Sequence, residues 1–205
     1  MHHNAFFTNK EVFTGTTIPI REKEELKKFI SYYKEVHPNP RNYALTILGL
    51  HTALRISDIL LLRWENVYDY EKNQFRTHLW LKEKKTGKEA IIALNPQAID
   101  ALQIYQSTRL TNPKDYIFTK NTDYNKPLDR THVYRIICKA AQEALHMEHV
   151  SCHSLRKTFG YHAWKQGTPP ALLMAIYNHS SYQVTKRYLG IEQDEKDAIF
   201  LEIDI

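Results

Sequence analysis

The sequence predicts an α+β fold, mainly α-helical, with a small antiparallel β-sheet inserted early. Three observations carry that prediction. Apolar residues recur at helical spacing over most of the 205-residue chain, as in helices with one buried face. Between Val67 and Leu94 that period gives way to short apolar runs separated by a turn. The composition, 42% apolar, 25% charged and 12% aromatic, is globular, and the length suits one domain with a substantial core.

The first helix spans Arg21 to Val36, with Leu26, Phe29, Ile30 and Tyr33 on one face and Pro38 and Pro40 ending it. Asn42 to Leu54 reads as a more buried helix. Ser57 stands where it would cap the next one, and Asp58 in its first turn, where the helix dipole favours an acid. Phe75, Leu79 to Leu81 and Ala90 to Leu94 mark short strands, two of them joined by a turn at Lys85, Thr86 and Gly87. The helical period then returns over Pro96–Arg109, Arg130–His146, Ser154–Gln166, Pro170–Tyr177 and Ser181–Leu189, Pro96 and Pro170 suiting first-turn positions. No internal repeat or low-complexity tract interrupts this order.

The longest apolar stretches, 45–50 and 59–62, are too short to cross a bilayer, and the N-terminus lacks a charged-then-apolar signal layout. A soluble cytoplasmic protein with no membrane partner is expected. In that compartment Cys138 and Cys152 are reduced small hydrophobes rather than a disulfide. With six glycines, a Gly-rich phosphate cradle is not expected. The net charge of +5 is unevenly spread: residues 192–205 carry six acids against Lys196 alone, leaving 27 Lys and Arg against 17 Asp and Glu elsewhere. From His149 to Ile191 there is no acid in 43 positions. Such a field attracts a polyanion, nucleic acid before membrane.

Four features bear on chemistry. In His153-Ser-Leu-Arg156, positions three apart share a helix face, so both side chains point at one ligand or stand as an ordinary surface pair. Arg55, between two apolar helices, needs an anionic partner: Asp58 or a phosphate. The turn over 83–88 sets Lys84, Lys85 and Lys88 at a hairpin tip, solvated or reaching into a groove. Asn178-His179-Ser-Ser links two helices, and Tyr188 follows nine residues after His179.

Together these residues supply what a metal-free phosphodiester transesterification requires. Two guanidiniums hold the non-bridging oxygens and offset the charge of the phosphorane. A histidine takes the nucleophile's proton and a lysine protonates the departing alkoxide. A phenol among such cations is expected to shift toward phenolate and act as nucleophile.

Thr52-Ala-Leu-Arg55-Ile-Ser-Asp58, Lys85 followed by Gly87-Lys88 and Ile91 to Leu94, His153-Ser-Leu-Arg156, Asn178-His179-Ser-Ser and Thr185-Lys-Arg-Tyr188 resemble, in order, the catalytic domain of the tyrosine recombinases, the lambda-integrase-type phage integrases. The resemblance runs from about Tyr43 to Leu189. It implies Arg55, Lys85, His153, Arg156, His179 and Tyr188 as catalytic residues, with Asp58 supporting. It further implies a 3′-phosphotyrosyl intermediate, a free 5′ hydroxyl that attacks a partner strand, and no metal, nucleotide or other cofactor. Double-stranded DNA is the implied partner, bound by a homo-tetramer on paired sites that is monomeric when free, with accessory DNA-bending proteins and a bacterial, nucleoid-associated setting. Candidate DNA-binding residues are Lys84, Lys88, Arg130, Arg135, Lys139, Lys157, Lys186 and Arg187, with the helix from Arg130 to His146 facing DNA.

Ala53 and Asn178 stand where the family usually has Gly, Asp58 where it usually has Glu, and Leu189-Gly190 where a histidine often follows the tyrosine by two. Only 54 residues precede Arg55, which suggests an isolated catalytic domain or a short member like the fimbrial invertases. The expected organisation is a catalytic domain over 1–191, its N-terminal helical part at 20–54, and an acidic tail over 192–205. That tail either exchanges between protomers or folds back on its own basic body. Rival readings are a non-catalytic DNA-binding protein of this fold, a type IB topoisomerase, and a zinc site at His146, Glu148, His149, Cys152 and His153. The zinc site is disfavoured because no single helical face collects these residues. A Ser-His-Asp hydrolase lacks its Gly-x-Ser-x-Gly elbow.

Overall fold

The computed structural model describes residues 17–85, 87–120 and 123–203. Thr86 of the expected turn and Asp204 and Ile205 of the tail lie outside the described residues. Helix α1 (Lys23–Ser31) passes into a π-helical turn at Tyr32–Val36, where one continuous helix to Val36 was expected. The wider turn accompanies the burial of two successive tyrosines. Tyr33 Oη donates to Ile136 O at 2.9 Å and Tyr32 Oη to the Glu143 carboxylate.

Helix α2 (Pro40–His51) starts on Pro40, with Asn39 accepting the Asn42 N–H at 3.0 Å as its cap. Every residue from 42 to 50 is buried, so α2 is the central pillar. A Cβ on Gly49 would stand 2.5 Å from Leu155 Cδ1, so glycine lets the later helix that carries Arg156 pack closely on α2. Thr52 ends α2, and Ala53 turns the chain with φ 53°, a left-handed value unusual for Ala. That turn starts α3 (Ile56–Ile59) earlier than expected. Arg55 holds the N-cap position, and Ser57 lies inside the helix rather than capping it.

After helix α4 (Trp64–Val67) the described residues form three antiparallel strand pairs, where one small sheet was expected. β1 (Tyr68–Asp69) pairs with β2 (Gln74–Phe75), and β3 (His78–Lys82) with β4 (Glu89–Ala93) in the register Trp80 opposite Ile91. After α5 (Pro96–Gln106), β5 (Thr119–Lys120) pairs with β6 (Asp123–Pro127) late in the chain, where no strand was expected. Helix α6 (Arg130–Leu145) is capped by Asp129 through the His132 N–H at 2.7 Å. A Ser151–Ser154 capping box opens α7 (Cys152–Lys165) two residues before its expected start, which puts His153 in the first turn.

α8 (Pro170–Tyr177) ends on left-handed Asn178, and α9 (Tyr182–Leu189) on left-handed Gly190. The acidic tail forms a further helix, α10 (Glu192–Glu202). The main core joins α1, α2, α5, α6 and α7. A smaller buried cluster of Ala53, Tyr161, Tyr177, Leu189 and Ile191, with Phe159, Trp164 and Tyr188 against it, ties α7, α8 and α9 together. Among the described residues no helix is long and apolar enough to cross a membrane.

Candidate active site

Five separate segments deliver the six expected catalytic side chains to one place. Arg55 follows the left-handed turn after α2, and Lys85 lies at the β3–β4 tip. His153 and Arg156 sit one turn apart on α7; His179 comes from the α8–α9 connection and Tyr188 from the end of α9. All six line a single cavity of about 250 Å³, with Leu54, Ile56 and Cys152 between them. Helical spacing explains the first pair. Arg55 and His179 follow closely on Ala53 and Asn178, whose left-handed φ values of 53° and 54° turn the chain at the ends of α2 and α8. These are the two positions where glycine was expected.

The two arginines are held differently. Arg156 is 5% exposed; its Nη1 donates to Ala53 O, and its guanidinium lies 4.7 Å from the centre of the Tyr177 ring. Arg55 Nη1 instead pairs with Glu83 Oε2 at 2.9 Å. Asp58, the carboxylate expected to serve Arg55, accepts the Lys84 backbone N–H at 2.9 Å. Asp58 is 2% exposed, and among the described residues its Oδ2 has no hydrogen-bond partner.

Burial first, and the charges of Arg130, Lys157, Arg156 and Arg55 next, push the His153 imidazole below its ordinary value. Burial and the two arginines do the same to His179. His179 Nδ1 stands 3.1 Å from Thr185 Oγ1, whose own hydrogen goes to Ser181 O at 3.4 Å. With the Thr185 hydroxyl hydrogen on Ser181 O, an Nδ1–H tautomer satisfies this contact and leaves Nε2 as the acceptor. Tyr188 overturns one expectation. The charge and hydrogen bond of Arg156, and then Arg55, pull its phenol down, but burial outweighs them and the net shift is upward. The phenolate is not its resting state, so the proton has to leave as the oxygen attacks.

The DNA-binding candidates divide. Lys84, Arg130 and Arg187 are exposed, and Arg130 is close enough to His153 to act on it electrostatically. Lys88 Nζ donates to Asn178 Oδ1 at 2.7 Å, joining the hairpin to the α8–α9 connection. Arg135 and Lys139 line a separate groove of about 580 Å³ with His132 and Tyr33, away from the six. Lys157 is partly buried: its Nζ donates to Thr17 O at 2.5 Å and lies 5.4 Å from the centre of the Tyr188 ring. Lys186 pairs with Glu195 of α10 at 3.2 Å. Two residues important to the cavity, Tyr177 and Glu83, were not singled out from the sequence. Among the described residues no group of three or more His, Cys, Asp or Glu side chains is arranged to hold a metal ion.

The model of the family described as "Phage integrase family" matches residues 21–195. A probable integrase/recombinase, YoeC, of Bacillus subtilis is 38% identical over 184 residues, covering 89% of this chain and 94% of that protein. Among solved structures, XerA recombinase superposes with a TM-score of 0.72 at 21% identity over 92% of this chain and 66% of that one. XerH site-specific recombinase bound to a palindromic difH substrate, a post-cleavage complex, gives a TM-score of 0.70 at 18% identity over 93% of this chain. The chain spans 55% of that structure's length. At these identities the structures speak for the fold alone, which is that of the recombinase catalytic domain. Taken with the family match over most of its length and the near full-length relative, they identify the chain as a member of the phage integrase family, the tyrosine recombinases.

Proposed function

We propose that the protein cuts and rejoins duplex DNA at defined sites through a 3′-phosphotyrosyl link on Tyr188. One observation carries this: six side chains of the required types, drawn from five segments between residues 55 and 188, line one small cavity. Arg55 and Arg156 hold the non-bridging oxygens of the scissile phosphate. Tyr188 Oη attacks phosphorus as its proton passes to an imidazole, His153 and His179 both being kept neutral by burial and neighbouring cations. The bond from phosphorus to the 5′ oxygen breaks, and the Lys85 ammonium gives that oxygen its proton. Attack by the 5′ hydroxyl of a partner strand reverses the step and frees Tyr188. Each step exchanges one phosphate ester for another, so the sequence is close to energetically neutral.

DNA as the partner is supported by the basic body and by the DNA-bound recombinase among the structural neighbours. The free protein is a monomer and assembles as a tetramer on paired sites. Support comes from α10, which joins two behaviours in one helix. Its first half folds back on the chain's own cations, Asp194 to Arg21 at 3.3 Å and Glu195 to Lys186 at 3.2 Å. Its far end leaves Ile199, Phe200, Leu201 and Ile203 exposed, an apolar surface suited to a neighbouring protomer.

The test is a nicked suicide duplex. Native protein should give a detergent-resistant protein–DNA adduct that Tyr188→Phe lacks while still binding; an adduct from the Phe variant rejects the assignment. Relaxation of arbitrary supercoiled plasmid without recombinant products would favour a topoisomerase instead.

A further inference from the structure

Tyr177 closes α8 and is 1% exposed, outside the lining of the cavity, yet it touches three of the six groups there. Its ring stacks on His179, with centres 5.5 Å apart and planes at 26°. It lies 5.3 Å from the Tyr188 ring at 51°, while the rings of His179 and Tyr188 are 5.2 Å apart at 75°. The three rings thus form a closed triangle. The Arg156 guanidinium lies 4.7 Å from the centre of the Tyr177 ring, and Tyr177 Oη donates to Arg156 O at 2.7 Å. Space for this is specific to one glycine, since a Cβ on Gly160 would stand 2.4 Å from Tyr177 Oη and 2.9 Å from its Cε2.

We propose that Tyr177 is the positioning residue of this cavity: one buried ring sets the mutual placement of Arg156, His179 and Tyr188. The three come from α7, the α8–α9 connection and α9, and share this ring as a common neighbour. An aliphatic side chain of similar size would fill the volume. It would offer no planar face for imidazole or phenol, no quadrupole for the guanidinium and no donor for Arg156 O. Burial pushes the Tyr177 phenol well up, so its hydroxyl stays a fixed donor and takes no part in proton transfer. Because near-attack geometry governs the rate, loss of this reference surface acts on the chemical step and spares DNA affinity.

The inference rests on Tyr188 being the nucleophile, and the test separates the two. In the full chain, Tyr177→Leu and Tyr177→Met are compared with Tyr177→Phe. Leu and Met should slow single-turnover adduct formation by about 100-fold with DNA affinity held within about threefold. Phe, which keeps the ring, should restore the rate to within about fivefold of native. In the free protein, the His179 ring-proton resonances should move downfield in Leu and Met, as the shielding of the stacked ring is lost, and stay in place in Phe. Native-rate cleavage by Leu or Met overturns the proposal, as does a Phe variant as slow as both. Unmoved His179 resonances in Leu and Met overturn it as well, and that readout holds even if native protein forms no adduct, the outcome that would reject strand cleavage itself.

Discussion

Arg156 and Arg55 face the same cavity from walls built on opposite terms. The helical wall, α7 to α9, holds Arg156 with neutral partners, the Ala53 carbonyl and the Tyr177 ring, so its charge is left uncompensated for a phosphate. The hairpin wall, with Lys85 at its tip, holds Arg55 through the Glu83 carboxylate, so part of that charge is already matched. Their side chains differ in exposure too, 5% for Arg156 as a residue against 23% for the Arg55 side chain. A buried charge with neutral partners is costly without an anion, so the helical wall is built for an anion that arrives. The hairpin wall carries its own anion.

The largest effect follows from that difference. Arg156→Ala should cut cleavage by about 1,000-fold, as loss of a donor aimed at developing charge does. It should also lower stability by about 1–3 kcal/mol, since Ala53 O loses its buried donor. Arg55→Ala should cost about 100-fold or more in cleavage with a smaller drop in melting temperature than Arg156→Ala, because the Glu83 side chain, 14% exposed, keeps some contact with water. Adduct kinetics and thermal unfolding of both variants check this. An Arg55→Ala variant as destabilised as Arg156→Ala would break the comparison.

The next effect concerns pH and belongs to the helical wall. His153 and His179 are both held below their ordinary value by burial and nearby cations. Below about 6.5 the unfolded chain therefore binds more protons than the folded one, and stability falls as pH drops through the window between the two values. Above that window the contribution is flat. Cleavage should decline only below the lowered folded-state value, by up to about tenfold per pH unit, because a protonated imidazole takes no proton from Tyr188. Unfolding and adduct rates measured from pH 4 to 8 test it; a cleavage rate still flat at pH values where the fall in stability has ended rules out an imidazole acceptor.

What could be seen in the sequence follows the same division. His153 and Arg156 are one helical turn apart, so their pairing is written in local spacing, and the remaining motifs fell into family order. The hairpin partner of Arg55 was not visible: Asp58 is three positions away, but Glu83, 28 positions on, makes the bond. Tyr177 sits in the apolar run Leu172, Leu173, Ile176, where spacing reads only as core. The upward shift of Tyr188 was missed because counting cations ignores burial, which wins here. For the same reason Lys157 and Lys186 looked free for DNA until Thr17 and Glu195 appeared beside them. The β5–β6 pair escaped because 119–127 is polar and has no alternating pattern. Helix α10 escaped too: its apolar residues gather at one end and leave no buried face.

Two smaller predictions sharpen the contrast. Glu83→Gln removes the carboxylate that competes for Arg55, so DNA affinity should rise about two- to fivefold, in line with an ion pair worth at most about 1 kcal/mol. The gain should shrink in high salt, and titrations at two ionic strengths measure it. A loss of affinity would mean that Glu83 orients Arg55 rather than occupying it. The smallest effect lies where the walls meet. Lys88 Nζ to Asn178 Oδ1 at 2.7 Å is an exposed hydrogen bond between the hairpin and the α8–α9 connection. Lys88→Met keeps most of the side chain's length, and should lower stability by no more than about 0.5 kcal/mol. Cleavage should fall a few-fold, since the hairpin then delivers Lys85 from a less fixed position. A loss as large as that of Arg55→Ala would instead assign proton donation to Lys88. Unchanged cleavage would show that the walls close on DNA without this link.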